Sequence, residues 1–254
     1  MKDMAEIFRD YAQHIYNYAL RLTAQPEDAQ DLAQETFLRA WEKLPSLESE
    51  AALAGWLRRI CYREFLMRMR RRGNVEPLSL DDRTALERDG ALLDEVRPRP
   101  EDEVAVAEAV WDMQNGCFLA MARKLSLNQR IAFSLVDMFG LSVDDVAELL
   151  EISRGAAKGL LYRARMNIDS FFADHCGLLD ERNPCACEAW IRFSTSRSEL
   201  QKRARELNAR LDFEEKGYRY DEAVRRKILC LYQRMPDQQP PRAWYDGVMR
   251  ALEK

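Results

Sequence analysis

Apolar residues recur every three to four positions along almost the whole chain. Nowhere do they alternate with period two for long enough to make a strand. That pattern commits the chain to an all-α architecture. Ile7, Phe8, Tyr11, Ile15, Tyr18, Ala19 and Leu22 mark a first amphipathic helix. Pro26 and its acidic neighbours open a second, where an N-terminal proline and carboxylates are favoured. Its expected buried set is Ala29, Leu32, Ala33, Thr36, Phe37, Ala40 and Trp41. The stretch Leu44 to Ala54 contains Pro45 and reads as a loop with a short helical turn. A third helix follows from about Leu53, carries Trp56, Leu57, Ile60 and Phe65, and ends in an arginine run before Gly73. No run approaches 18 uncharged apolar residues, so no membrane-crossing helix is expected, and the N-terminus lacks an apolar signal core. The expected compartment is the cytoplasm.

Charge divides the chain. The formal net charge is −4, which argues against indiscriminate nucleic-acid binding. Residues 73–110 hold eleven acidic and four basic side chains, and Pro77, Pro98 and Pro100 interrupt them. This segment has little periodicity and reads as a flexible acidic linker over 73–103. The expected organisation is thus two small helical domains, 1–72 and 104–174, joined by that linker, with a helical C-terminal extension over 175–254.

In the second domain, Val104 to Lys124 reads as a helix. Ser126-x-x-Gln129 is a capping box opening a helix to Phe139, and Ser142-x-x-Asp145 opens a short one to Leu150. The three residues Glu151, Ile152 and Ser153 then lead into a longer helix from Arg154 to about Phe172. Two helices joined by a three-residue turn have helix-turn-helix spacing. Val146, Leu149, Leu150, Ile152, Ala156, Leu160 and Leu161 supply the inner faces. Arg154, Lys158, Tyr162 and Arg165 share one face of the second helix, which has four basic and no acidic side chains from Ser153 to Ile168. Such a helix can enter a major groove, its first residues reading base edges and the others holding phosphate.

The extension carries His175, Cys176, Cys185 and Cys187 within 13 residues. Thiolate and imidazole suit zinc, copper(I) or cadmium. The spacing is not that of a standard zinc finger, and Cys230 is an alternative ligand. With two histidines in the whole chain, a multi-histidine catalytic centre is excluded. In a reducing compartment the six cysteines read as thiols or ligands rather than disulfides; Cys61 and Cys117 read as buried structural thiols. Three helices are expected beyond the cluster, over about 188–211, 220–234 and 241–252.

Two blocks resemble bacterial RNA polymerase sigma factors of the extracytoplasmic-function type, in the sigma-70 family. The first runs from Asp28 through Asp31, Gln34, Glu35, Phe37 and Arg39 to Trp41, followed by Trp56-Leu57-Arg58-Arg59-Ile60 and the arginine run. The second runs from Leu125 to Arg130, through Gly140-Leu141-Ser142-Val143-Asp144-Asp145-Val146-Ala147, to Leu161-Tyr162-Arg163-Ala164-Arg165. The resemblance covers about residues 4–72 and 104–172. It implies that the first domain grips core RNA polymerase through Asp28, Asp31, Gln34, Glu35 and Arg39. It also implies that this domain opens the promoter −10 element with Trp56, Arg59, Tyr62 and Arg63 beside the 44–53 loop. Stacking on aromatics and backbone cations would repay the cost of unstacking bases. The second domain would read the −35 element through Arg154, Lys158, Tyr162 and Arg165. Partners implied are core RNA polymerase and promoter DNA, with an anti-sigma factor as a further candidate. Some similar sigma factors sense metal through a C-terminal cysteine-rich domain, and the extension is expected to do so or to fold around zinc.

The chain departs from the family pattern at two places. Arg63 stands where the family usually has Asn. The reading helix has Gly155 and Gly159, each costing about 1 kcal/mol relative to Ala. The competing reading is a stand-alone metal-responsive helix-turn-helix regulator, which would not need the first block. An enzyme is not expected, because only Glu188 beside Cys187 could serve an open metal site.

Overall fold

Helix starts in the first unit are set by local chemistry. In a computed structural model, which describes residues 3–47, 49–71, 79–93, 96–97, 99–103, 110–183, 185, 187 and 220–252, helix α1 (Met4–Thr23) opens on a reciprocal capping box. The Glu6 amide donates to the Asp3 carboxylate at 2.7 Å, and the Asp3 amide donates to Glu6 at 3.0 Å. It closes at Ala24, which takes a left-handed conformation with φ 56°. Helix α2 (Pro26–Lys43) has Pro26 in its first turn with Glu27 and Asp28, which suits the helix dipole. Helix α3 (Leu53–Arg71) ends in Arg68, Arg70 and Arg71, cations at the favoured end. The chain divides into two units, Met1–Glu76 with Asp237–Lys254, and Pro77–Pro236.

The first unit buries Ile7, Phe8, Ile15 and Leu22 of α1 against Leu32 and Phe37 of α2 and Leu57 and Phe65 of α3. Trp41, expected in this core, is 44% exposed. The arc buried on α2 ends at Ala40, and Trp41 lies about 100° further round the helix. The end of the chain returns to this unit as the last helix, Arg242–Leu252. The Trp244 indole donates to the Gln30 carbonyl at 3.0 Å, and the Tyr245 ring lies 4.9 Å from Phe8. Asn17 is buried because its amide is matched. It donates to the Gln238 carbonyl and accepts from the Gln238 amide, both at 2.8 Å.

The second unit departs from expectation at both ends. The segment read as a flexible linker contains a helix, α4 (Leu80–Gly90), opened by a Ser79–Asp82 capping box. The Ser79 hydroxyl donates to Asp82 at 2.6 Å and accepts from its amide at 3.1 Å. Helices α5 (Trp111–Ala122), α6 (Leu127–Phe133), α7 (Val143–Leu150) and α8 (Arg154–His175) follow. The helix expected to reach Phe139 becomes a π-turn over Ser134–Met138 and stops at Gly140, whose φ of 69° favours glycine. Helix α9 (Glu222–Gln233) was expected in a separate extension. It is part of this unit's core instead, with Ile228, Leu229, Leu231 and Tyr232 packed among Phe118, Phe133, Ile168 and Phe172. Tyr232 makes edge contacts with Phe118 at 4.5 Å and Phe133 at 4.8 Å. The last helix is α10. The helix expected over 188–211 lies outside the described residues, as do Glu188, Pro184 and the start of the helix expected from Val104. Among the described residues there is no strand, and no helix is long and apolar enough to cross a membrane.

Candidate nucleic-acid interface

The helix-turn-helix is built as its sequence dictates. Ser142 and Asp145 cap α7 reciprocally, with the Asp145 amide 3.1 Å from the Ser142 hydroxyl. Glu151 ends α7 in the left-handed region at φ 56°. The Ser153 hydroxyl then accepts from the Ala156 amide and starts α8. Val146 and Ala147 of α7, and Ala156, Ala157, Leu160 and Leu161 of α8, are all buried where the unit packs these helices together.

Of the four residues expected to face DNA, Arg154 is exposed and pairs with Asp144 at 2.8 Å, while Lys158 and Tyr162 are half-buried. Arg165 is a correction. Its guanidinium grips Asp137 with two bonds of 3.1 and 2.7 Å and is only 13% exposed. The π-turn aims Asp137 inward at that point, so Arg165 serves the interior rather than phosphate.

Asp137 also receives Arg225 of α9, whose other nitrogen donates to Asp169 at 2.7 Å. All three side chains are almost fully buried. Burial pushes the Asp137 carboxyl up, but Arg225 and Arg165 outweigh it and hold it below the ordinary value. Burial dominates at Asp169, which rises to about 6 despite Arg225. Asp137, Asp169 and Arg225 escaped the sequence reading. A lone Asp in an apolar stretch, Ser134 to Phe139, was the available signal.

On α3, Trp56 is half-buried and Arg59 and Arg63 are exposed. Their spacing puts them on one side of the helix. Tyr62 is a second correction: at 1% exposure it belongs to the core beside Cys61 and Phe65. On α2, Asp31 and Gln34 are exposed, and Asp28 lies 4.0 Å from Arg68. Arg39 pairs with Glu35 at 3.2 Å, Glu42 at 3.0 Å and Glu64 at 3.6 Å. Leu32, Glu35, Glu64, Met67, Arg68 and Arg71 line a cleft of about 330 Å³ between α2 and α3. Of the expected polymerase-gripping residues, Glu35 lines this charged groove, Arg39 and Asp28 pair with its Glu64 and Arg68, and Met67 is exposed in it.

The cysteine cluster gathers in part. Cys176 and Cys185 form an isolated parallel bridge, with the Cys185 amide donating to the His175 carbonyl at 3.0 Å and the Gly177 amide to the Cys185 carbonyl at 2.9 Å. A hydrogen bond from Cys187 draws the Cys185 thiol down to about 7 and raises that of Cys187. Cys117 of α5 lies close enough to interact electrostatically with Cys176 and Cys185, and its burial pushes it up to about 12. His175 does not join. Its ring stacks on Phe171 at 4.9 Å, and Nδ1 lies 3.0 Å from the Phe171 carbonyl. Cys230 has Arg234, Asp102 and Glu103 as its charged neighbours instead. Among the described residues no three His, Cys, Asp or Glu side chains stand in an arrangement that holds a metal. As they are placed, these four residues do not fit the expected ligand set.

Two family models match, in order: sigma-70 region 2 over residues 7–75, and sigma-70 region 4 over residues 115–168. The chain belongs to the sigma-70 family of RNA polymerase sigma factors, in its extracytoplasmic-function group. It is 29% identical to the ECF RNA polymerase sigma factor SigE of Mycolicibacterium smegmatis over 69% of this chain and 63% of that one. It is 28% identical to the RNA polymerase sigma-H factor of Pseudomonas aeruginosa, covering 63% of this chain and 80% of that one. A solved structure of the sigma factor RpoE with the anti-sigma factor NepR from Bartonella quintana matches with 26% identity and a TM-score of 0.45, over 68% of this chain and 98% of that one. In this sigma factor, α4, α9 and α10 all lie outside the two matched regions.

Proposed function

We propose that this chain is an alternative sigma factor that binds core RNA polymerase, directs it to a promoter, helps melt the −10 element and so starts transcription. The polymerase carries the chemistry; this chain is a non-catalytic initiation factor working in the cytoplasm. One observation carries the reading: a region 2 unit with a charged α2–α3 groove precedes, in the same chain, a capped helix-turn-helix with Arg154 and Lys158 on its second helix. Trp56, Arg59 and Arg63 are the proposed −10 contacts. Arg154, Lys158 and Tyr162 are the proposed −35 contacts. Run-off transcription by core polymerase with this protein, on promoters selected from genomic fragments, tests it. Promoter-specific transcripts are expected. Failure to co-elute with core polymerase would leave the stand-alone regulator.

The double substitution Asp31→Lys with Glu35→Lys should weaken binding to core polymerase about tenfold or more, because like charges brought together at an interface cost several kcal/mol. Co-elution and fluorescence titration would measure it, and duplex binding by the second unit should be unchanged.

Regulation by metal belongs to the same proposal. A soft ion, zinc, copper(I) or cadmium, would have to recruit Cys176, Cys185 and Cys187 by rearranging the 176–187 loop, with His175 outside the set. Purified protein would then retain about one zinc per chain, and Cys185→Ser with Cys187→Ser would lose it. Equal metal content in both proteins, by mass spectrometry under native conditions, would remove this part of the proposal.

A further inference from the structure

We propose that α4 is a built-in cover for the DNA-reading helix and must leave before α8 can enter a major groove. This rests on the reading of α7–α8 as a DNA-binding helix-turn-helix.

Ala156, Leu160 and Ala164 of α8 face the unit's interior. Gly155, Gly159 and Tyr162 lie on the opposite side of the helix, the side a groove would receive. Helix α4 lies against it. A Cβ on Gly159 would run into the Leu86 carbonyl. One on Gly155 would meet the Glu87 carboxylate, and one on Gly90 would press on the Gly155 carbonyl and on Lys158. Three glycines thus let the two backbones touch, and Leu86 is left 2% exposed. The two intrahelical glycines weaken α8 as a free helix. The close approach of α4 is the feature that uses them.

The polar contacts at the crossing imitate those of a phosphate backbone. Glu87 accepts from the hydroxyl of Ser153, the residue that caps α8, and Asp89 accepts from Arg163. Hydroxyls at a helix start and arginines are the groups that hold phosphate oxygens in DNA complexes. A major groove about 12 Å wide accepts one helix of about 10–12 Å diameter, with no room for a second layered on its outer face. Helix α4 and duplex therefore compete for α8.

Gly90→Leu tests this without replacing any proposed DNA contact, because its side chain falls between the α4 and α8 backbones and, among those contacts, reaches only the Cβ of Lys158. The full chain would be titrated with a duplex carrying the −35 element of a promoter selected by the holoenzyme, at fixed salt. Hydrogen exchange of residues 80–90 would be followed with and without that duplex. If α4 covers α8 nine-tenths of the time, the variant should bind about tenfold more tightly than the natural chain. In the natural chain, which needs no substitution to fold, the duplex should speed exchange in 80–90. Equal affinities, with 80–90 still protected in the complex, would overturn the cover and leave the helix-turn-helix reading standing. No sequence-dependent binding by either protein would overturn the DNA reading and the cover with it.

Discussion

Replacing Arg225 by Ala should lower the stability of the second unit by about 3–5 kcal/mol, the usual cost of removing one partner from a buried ion pair. Arg225 is fully buried and holds two carboxylates, Asp169 at 2.7 Å and Asp137. Its guanidinium also lies over the Tyr232 ring, 5.7 Å from the centroid. Asp137 would keep Arg165, but Asp169 would lose the guanidinium it bonds. The sign of the pH dependence follows. The Asp169 carboxyl is already raised to about 6 from an ordinary 3.8. A raised carboxyl leaves stability intact below the unfolded value and loses it as pH climbs through the folded one. Without Arg225 the folded value rises further, so the deficit of the variant should widen from pH 5 to pH 8. Asp137, held low, acts in the opposite sense, losing stability as pH falls below the ordinary carboxylate range. Hydrogen exchange of the α8 and α9 amides reports this unit by itself, which a single unfolding midpoint for a two-unit chain would not. A loss under about 1 kcal/mol at pH 8 would mean that water or a neighbouring cation replaces Arg225. Arg225→Met should recover part of the loss only when Asp137 and Asp169 are also made apolar.

How far the sequence could be read depended on how local the deciding contact is. The capping boxes at Ser126 and Ser142, the turn at Glu151 and the helix start at Ser153 are interactions within four residues, and each stands as read. Ser79-x-x-Asp82 is the same signature, yet the segment around it has the composition of a linker. Its acidic composition and flanking prolines outweighed a box that needs a packing partner to matter, and that partner is α8, about 70 residues on. Arg165 shares a helical face with Arg154, so periodicity alone sends both to DNA. Only the π-turn at Ser134–Met138 brings Asp137 under Arg165. Tyr62 is legible as a core residue. Its spacing to Phe65 and Met69, both buried, is the core spacing of α3. Cysteine spacing showed which soft donors were near in sequence. It could not show that His175 would turn to Phe171, or that Cys117 of α5 would approach Cys176 and Cys185.

Phe8→Ala should cost the first unit about 3–5 kcal/mol, the range for emptying a buried phenylalanine site. Phe8 is completely buried and works on two fronts. Its ring meets Phe37 of α2 edge-on at 4.8 Å, inside the α1–α3 core. It also underlies α10, with Tyr245 at 4.9 Å and Trp244 at 5.9 Å. Trp244→Ala should cost roughly half as much, because the indole is only half-buried and less apolar area returns to water. The double variant separates the two roles. Aromatic pairs are worth about 0.5–1.5 kcal/mol beyond the area they bury, so the two losses should fall short of additivity by about that much. Exchange rates of the α1 and α2 amides give the free energies. Strict additivity would mean that α10 is not seated on Phe8 in solution, and Trp244→Ala would then leave the α1 amides as protected as before. A shortfall of the expected size would establish that the last helix, which lies outside both sigma regions, is part of the region 2 fold and holds to α2 at Gln30, one residue from Asp31 on the proposed polymerase face.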